Sequence, residues 1–295
     1  MLRKNLRASL RALAGSAFLL AVFFIGVPLQ VLVVRPVFGN RTFFPRLICE
    51  GLVRIFGLKI EFNAASVPIE RKRPVWYVAN HLSELDPLVL GSVLKTMFVA
   101  ADFLERIPVV RTICSAAEII LVSRSKDEKL KAFDRGGVIG AFNEGDNVMM
   151  FPEANTNDGT LVNRFNAGLV EILYGREGMD WRGRAVKLEK DICVQPIAIR
   201  VKEVEGRDAF AEPELRDTYS LFYEKSHLKR LWRRLQCDGI TLELTVFPAM
   251  EPKGYPDART LMNAAHELVR QVVAPDQTDV KKSPLGSGGF GPPPV

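Results

Sequence analysis

Apolar and polar positions divide the chain into three regimes. From Ala12 to Val34 no ionisable side chain occurs for 23 residues, enough for a helix to cross a bilayer. From Phe44 to Phe56 the apolar residues Phe44, Leu47, Ile48, Leu52, Ile55 and Phe56 recur at helical spacing. After Phe62 short β-prone runs alternate with amphipathic ones. Strands are expected at 75–79, 97–100, 118–122, 147–151, 192–199 and 241–247, and helices near 87–94, 108–117, 126–143, 165–174 and 258–273. Such alternation predicts an α/β fold, a largely parallel sheet covered by helices. From about Pro275 the text turns to Gly, Ser and Pro with too few apolar residues to bury.

Three units follow: membrane-anchoring helices over 1–62, a catalytic domain over 63–274, and a disordered tail over 275–295. Gly26 and Pro28 sit inside the apolar run, where a re-entrant turn could form. Residues 1–62 therefore read as a helical hairpin seated in one leaflet, with a spanning helix as the alternative.

Charge sharpens this picture. The 295 residues carry a net +6, yet residues 1–59 hold nine Lys/Arg against the single acid Glu50. The remainder is slightly acidic, with 31 basic and 33 acidic residues. Basic character beside an apolar run suits anionic lipid, not nucleic acid. Cations on both flanks keep both ends on the cytoplasmic face of the cell inner membrane. The four cysteines, Cys49, Cys114, Cys193 and Cys237, have no paired spacing, so neither a metal nor a disulfide framework is expected.

Candidate chemistry lies where strands end. Val75 to Val78 breaks into Ala79-Asn80-His81-Leu82-Ser83-Glu84-Leu85-Asp86-Pro87, a polar loop closing on an Asp-Pro helix start. Of three histidines, only His81 has carboxylates nearby on a strand-exit loop. Imidazole titrates near neutrality, so His81 is the candidate general base, with Asp86 as its orienting partner and Glu84 also within reach. A second buried strand delivers Glu153 to the same carboxyl edge, followed by Asn155, Thr156 and Asn157. A third delivers Arg124, and Arg164 follows the turn at Gly159. Two guanidiniums converging with neutral donors would make a phosphate site. The stretch Lys225 to Leu235 is an amphipathic helix with five cations, read as a half-buried surface helix or a contact for lipid head groups.

Together these stretches resemble the glycerolipid acyltransferase family, typified by 1-acyl-glycerol-3-phosphate acyltransferases. Asn80-His81 to Asp86 matches its N-H-x-x-x-x-D motif, and Ile119 to Arg124 is similar to its apolar strand ending in arginine. Phe151-Pro152-Glu153 matches the start of F-P-E-G-T, and Val194 to Ile199 resembles its fourth, proline-bearing strand. The resemblance implies that His81 deprotonates a lysolipid hydroxyl while Asp86 holds the imidazole. The donor would be an acyl-CoA or acyl-carrier protein thioester, with no bound cofactor and no covalent acyl-enzyme. Arg124, Glu153, Asn155, Thr156 and Arg164 would bind the acceptor, foremost a lysophospholipid such as 1-acyl-glycerol-3-phosphate. Three positions depart from the pattern: Ala154 replaces glycine, Asn155 replaces threonine, and Thr156 stands where many members carry arginine. Those departures keep open an amino-acid-based lyso-lipid as acceptor, or a catalytically inactive lipid-binding homologue.

Overall fold

The computed structural model describes residues 2–39, 41–102, 119–123, 125 and 127–277. The expected helix at 108–117, Arg124 and the tail beyond Gln277 lie outside the described residues.

The apolar run forms one helix, α1 (Leu2–Phe38). The turn expected at Gly26 and Pro28 is not made. Pro28 lacks a donor N–H, and two single-turn π segments, Val22–Gly26 and Gln30–Val34, take up the misfit so the helix continues. The chain reverses only at Gly39, whose φ of 62° ends α1 in the left-handed region. A second helix, α2 (Phe43–Ile55), packs back against it. The buried Gln30 side chain fixes this reversal, donating to the Arg41 carbonyl at 3.2 Å and accepting from the Phe44 N–H at 3.3 Å.

The strands are β1 (Leu58–Phe62), β2 (Val75–Ala79), β3 (Met97–Ala101), β4 (Ile120–Val122), β5 (Val148–Met150), β6 (Gly178–Met179), β7 (Ala185–Val186), β8 (Cys193–Val204), β9 (Arg207–Asp208) and β10 (Ile240–Val246). The main sheet runs β1-β10-β8-β2-β5-β3-β4, with β9 beside β8, while β6 and β7 form a separate ribbon. Five strands, β8, β2, β5, β3 and β4, are mutually parallel. β10 runs antiparallel to β8, and β1 follows β10. The sheet is thus mixed, largely parallel at its centre. β1 was not expected, although Leu58-Lys59-Ile60-Glu61-Phe62 alternates as a strand should.

Helices α3 (Asp86–Val93), α4 (Glu128–Asn143), α5 (His227–Gln236) and α6 (Ala258–Val273) complete the layers. Every residue of β2 is buried, and its alternation feeds two cores. Val75, Tyr77 and Ala79 pack with Val53, Phe56, Val89, Leu90 and Leu235 on one face. Trp76 and Val78 pack with Val138, Ile139, Phe142 and Leu261 on the other. Strands buried on both faces read as continuous apolar runs, which is why β2 is so visible in the sequence. The expected helix at 165–174 shrinks to a 3-10 turn, Val170–Tyr174.

Candidate active site

Because β2 and β5 are parallel neighbours, the loops that follow them leave the same sheet edge. Asn80 fixes the first loop. Its side chain donates to the Ile199 carbonyl at 2.9 Å and accepts from the Ile199 N–H at 2.8 Å, prolonging the β2–β8 ladder by one more pair. His81 is thereby held at the strand's end. Its ring stacks on Phe151 at 4.3 Å and remains 19% exposed.

Asp86 was expected to cap α3. It is instead the first helical residue, and its side chain turns back onto the loop. Oδ2 accepts from His81 Nδ1–H at 2.8 Å, from the Leu82 N–H at 2.6 Å and from the Ser83 N–H at 2.9 Å. Oδ1 accepts from the Tyr219 hydroxyl at 2.7 Å, and the carboxylate is fully buried. An acceptor-only carboxylate at Nδ1 puts the proton there and leaves Nε2 with its lone pair. Burial, with Asp86 beside it, pushes the Tyr219 phenol well above its usual range, so it stays a donor.

Glu84 does not compete for His81. It pairs with Arg234 at 2.9 Å and with Arg230, both from α5. Burial works to raise its carboxyl, but these two guanidiniums prevail and hold it below the usual range. Arg234 is itself buried and also donates to Ser83 Oγ at 2.8 Å and to the carbonyls of Tyr219 and Ser220. One guanidinium thus ties α5, the Tyr219 turn and the His81 loop together.

Glu153 was expected at the mouth, on the acceptor. The structure buries it, with 6% exposure. Oε1 accepts from the His81 N–H at 2.8 Å, while Oε2 accepts from Asn157 Nδ2 at 2.8 Å and the Asn163 N–H at 2.7 Å. Burial pushes this carboxyl up to about 8, against the pull of those three donors. Its oxygens are occupied in fixing the loops. Ala154 sits at φ 63°, the left-handed region where glycine is at ease.

Of the other expected residues, Asn155 is exposed, Thr156 half-buried and Arg164 exposed, its charge acting on His266. The structure therefore brings together His81, Asp86 and Glu153, while Arg124 lies outside the described residues. Sequence reasoning did not assign Tyr219 or Arg234 to the site, because neither carries a local signal. Among the described residues no group of three His, Cys, Asp or Glu side chains gathers as a metal would need.

A histidine oriented by a buried carboxylate, on the carboxyl edge of a mainly parallel sheet, has the geometry that general acid–base chemistry needs. Residues 63–200, a little under half of the chain, match the acyltransferase family model. The chain is similar to the lyso-ornithine lipid O-acyltransferase of Rhizobium meliloti, 29% identical over 66% of this chain and 63% of that protein. The protein of the same name from Rhodobacter capsulatus is 24% identical over 88% of each chain. The 1-acyl-sn-glycerol-3-phosphate acyltransferase of Neisseria gonorrhoeae is 23% identical over 78% of this chain and 81% of its own. Among solved structures, the 1-acyl-sn-glycerophosphate acyltransferase of Thermotoga maritima shares the fold, with a TM-score of 0.57 at 19% identity over 93% of this chain and 99% of that one.

Proposed function

We propose that the chain is a membrane-associated O-acyltransferase that moves a fatty acyl group from a thioester to the hydroxyl of a lysolipid. The observation that carries this is the His81–Asp86 pair, in which Nδ1 is engaged by the carboxylate and Nε2 keeps its lone pair. In this reading Nε2 takes the proton as the acceptor oxygen attacks the thioester carbonyl. The tetrahedral adduct then collapses, the C–S bond breaks, and the imidazolium returns the proton to the departing thiolate. Asp86 stabilises the imidazolium between those steps. The donor is acyl-CoA or acyl-carrier protein, and the site faces the cytoplasmic side of the inner membrane.

For the acceptor, a lyso-ornithine-type lipid stands ahead of lysophosphatidic acid. Two things support it: Thr156 stands where many members of the family carry arginine, and several of the similar proteins bear that name. Lysophosphatidic acid is the second reading, supported by Arg124 of the second sequence motif and by the Neisseria proteins. The test is acyl transfer by the purified full chain to each acceptor with each thioester donor, His81→Ala serving as the blank. Transfer to neither acceptor, or equal transfer by His81→Ala, would defeat the proposal. Transfer to lysophosphatidic acid alone, with Arg124→Ala raising its KM, would put the second reading first.

A further inference from the structure

Helix α5 turns two cations as well as Leu235 toward the domain, and leaves its other large apolar residues outside. On a helix packed against a domain, apolar residues ordinarily face inward. Here Arg230 and Arg234, four residues apart, face inward onto Glu84. Leu228, Leu231 and Trp232 occupy the opposite side and are 79%, 43% and 39% exposed. The i, i+3, i+4 spacing makes them one contiguous stripe. Lys225, Lys229 and Arg233 are exposed along its border. The stripe is most open at Leu228 and closes toward Leu235, which is buried in the core beside Ala8 of α1.

The helix also abuts the apolar N-terminal helix. Arg7 donates to the Gln236 carbonyl at 3.3 Å and pairs with Asp238 at 2.7 Å. Arg11 donates to the carbonyls of Leu235 and Cys237, and Asn5 Oδ1 accepts from Gln236 Nε2 at 2.7 Å. That part of α1 exposes Leu2, Leu6, Leu10 and Leu13 between its own cations. Two touching helices therefore present apolar stripes rimmed by positive charge.

We propose that α5 is an interfacial element that docks the catalytic face onto an anionic lipid surface, with Leu228, Leu231 and Trp232 inserted and Lys225, Lys229 and Arg233 at head-group level. An apolar stripe bordered by Lys and Arg suits the boundary between acyl chains and acidic head groups, whereas a protein partner would leave that ring of cations to be matched one by one. Because Arg230 and Arg234 join the same helix to the loop of His81 and Asp86, docking seats that loop at the lipid surface, where a lysolipid hydroxyl arrives.

The test uses the full chain in phosphatidylcholine vesicles, with and without phosphatidylglycerol, carrying brominated or plain acyl chains. Trp181 is replaced by phenylalanine to remove the other exposed indole. Brominated lipid is expected to quench fluorescence that disappears in Trp232→Phe, more strongly with phosphatidylglycerol present. This readout needs no catalysis, so it stands apart from the acyltransferase reading. In parallel, Leu228→Ser/Leu231→Ser/Trp232→Ser is expected to lose about tenfold in activity on vesicle-borne acceptor while keeping its turnover on a short-chain soluble one. Absence of Trp232 quenching, or equal quenching without phosphatidylglycerol, overturns the proposal. So does Trp232 being shielded only when the chain self-associates, since a second copy would then cover the stripe.

Discussion

At Asp86, four donors converge on two oxygens, three from the adjoining loop and one, Tyr219, from far along the chain. Asp86→Asn keeps one carbonyl oxygen for Nδ1–H and the loop, and the Tyr219 hydroxyl can turn to accept from the new amide. The variant should fold, yet lose about 10²–10⁴ in kcat because the imidazolium loses its counter-charge; a melting curve beside the rate separates the two effects. Ala154 is strained where it stands, at φ 63°. Ala154→Gly should raise stability by roughly 0.5–1 kcal/mol, the left-handed penalty less the entropy glycine adds to the unfolded chain, seen as a Tm higher by a few degrees. Glu153 supplies a pH signature. Its folded value, pushed up to about 8, lies above that of an exposed carboxyl, so the folded state holds the proton more tightly. Its contribution to stability is complete below the usual carboxylate range and is lost as pH rises through about 8. The Tm advantage of wild type over Glu153→Gln should therefore shrink between about pH 5 and 8; an advantage that grew would reverse the assignment. Of these residues, His81, Asp86, Glu153 and the Ala154 departure were legible because each lies within one short motif. Tyr219, 133 positions from Asp86, was not, since nothing local marks a tyrosine whose partner comes from the fold.

At the scale of elements, burial on both faces made β2, β5 and β8 visible, and the central parallel order followed from their alternation with helices. What escaped was pairing. β1 alternates cleanly but follows the basic, apolar N-terminus and reads with the anchor, while the reversal at β10 depends on a long-range choice of neighbour. The 165–174 run has helical spacing, but Gly175 at φ 84° stops it at one short turn. Helix α5 was legible as amphipathic and misleading in its orientation, because hydrophobicity alone cannot say that Arg234 will be drawn inward by Glu84, 150 positions away. That arginine gives this scale its prediction. The contacts to Ser83, Glu84 and two carbonyls all leave from Nη2, one bond beyond the reach of a lysine Nζ, so Arg234→Lys keeps the charge but draws it back from that cluster. Losing about two charge-assisted hydrogen bonds should destabilise the protein by roughly 2–4 kcal/mol. Because Arg234 acts through the loop of His81, kcat should fall while the KM for the thioester donor stays near wild type. A rise in donor KM with kcat unchanged would mean that Arg234 contacts substrate instead.

On the whole molecule, the decisive feature is that both ends of α1 are tied to the same domain. Lys4 pairs with Glu205, and Arg7 and Arg11 hold the end of α5, while Arg41, just past the other end, pairs with Asp146 at 3.1 Å. A helix of 37 residues is about 55 Å long, and one crossing a bilayer would carry one of those ends away. We therefore read α1 as lying along the membrane face, its uncovered Phe23, Phe24, Ile25, Leu32 and Phe38 entering one leaflet. The segment is also part of the core, since Val53, Phe56 and Leu58 pack in the cluster that holds Tyr77 and Ile199. Two truncations separate the roles. A chain beginning at Thr42 keeps α2 and β1, and should melt cooperatively while leaving vesicles in high salt, any residual binding through α5 being salt-sensitive. A chain beginning at Asn63 loses β1 and three buried side chains worth about 1.5–3 kcal/mol each. Against a typical total of roughly 5–15 kcal/mol, that loss should abolish the cooperative transition. Flotation and circular dichroism decide between them: full flotation of the Thr42 chain in high salt would remove α1 as the anchor, and a wild-type melt of the Asn63 chain would remove the segment from the core.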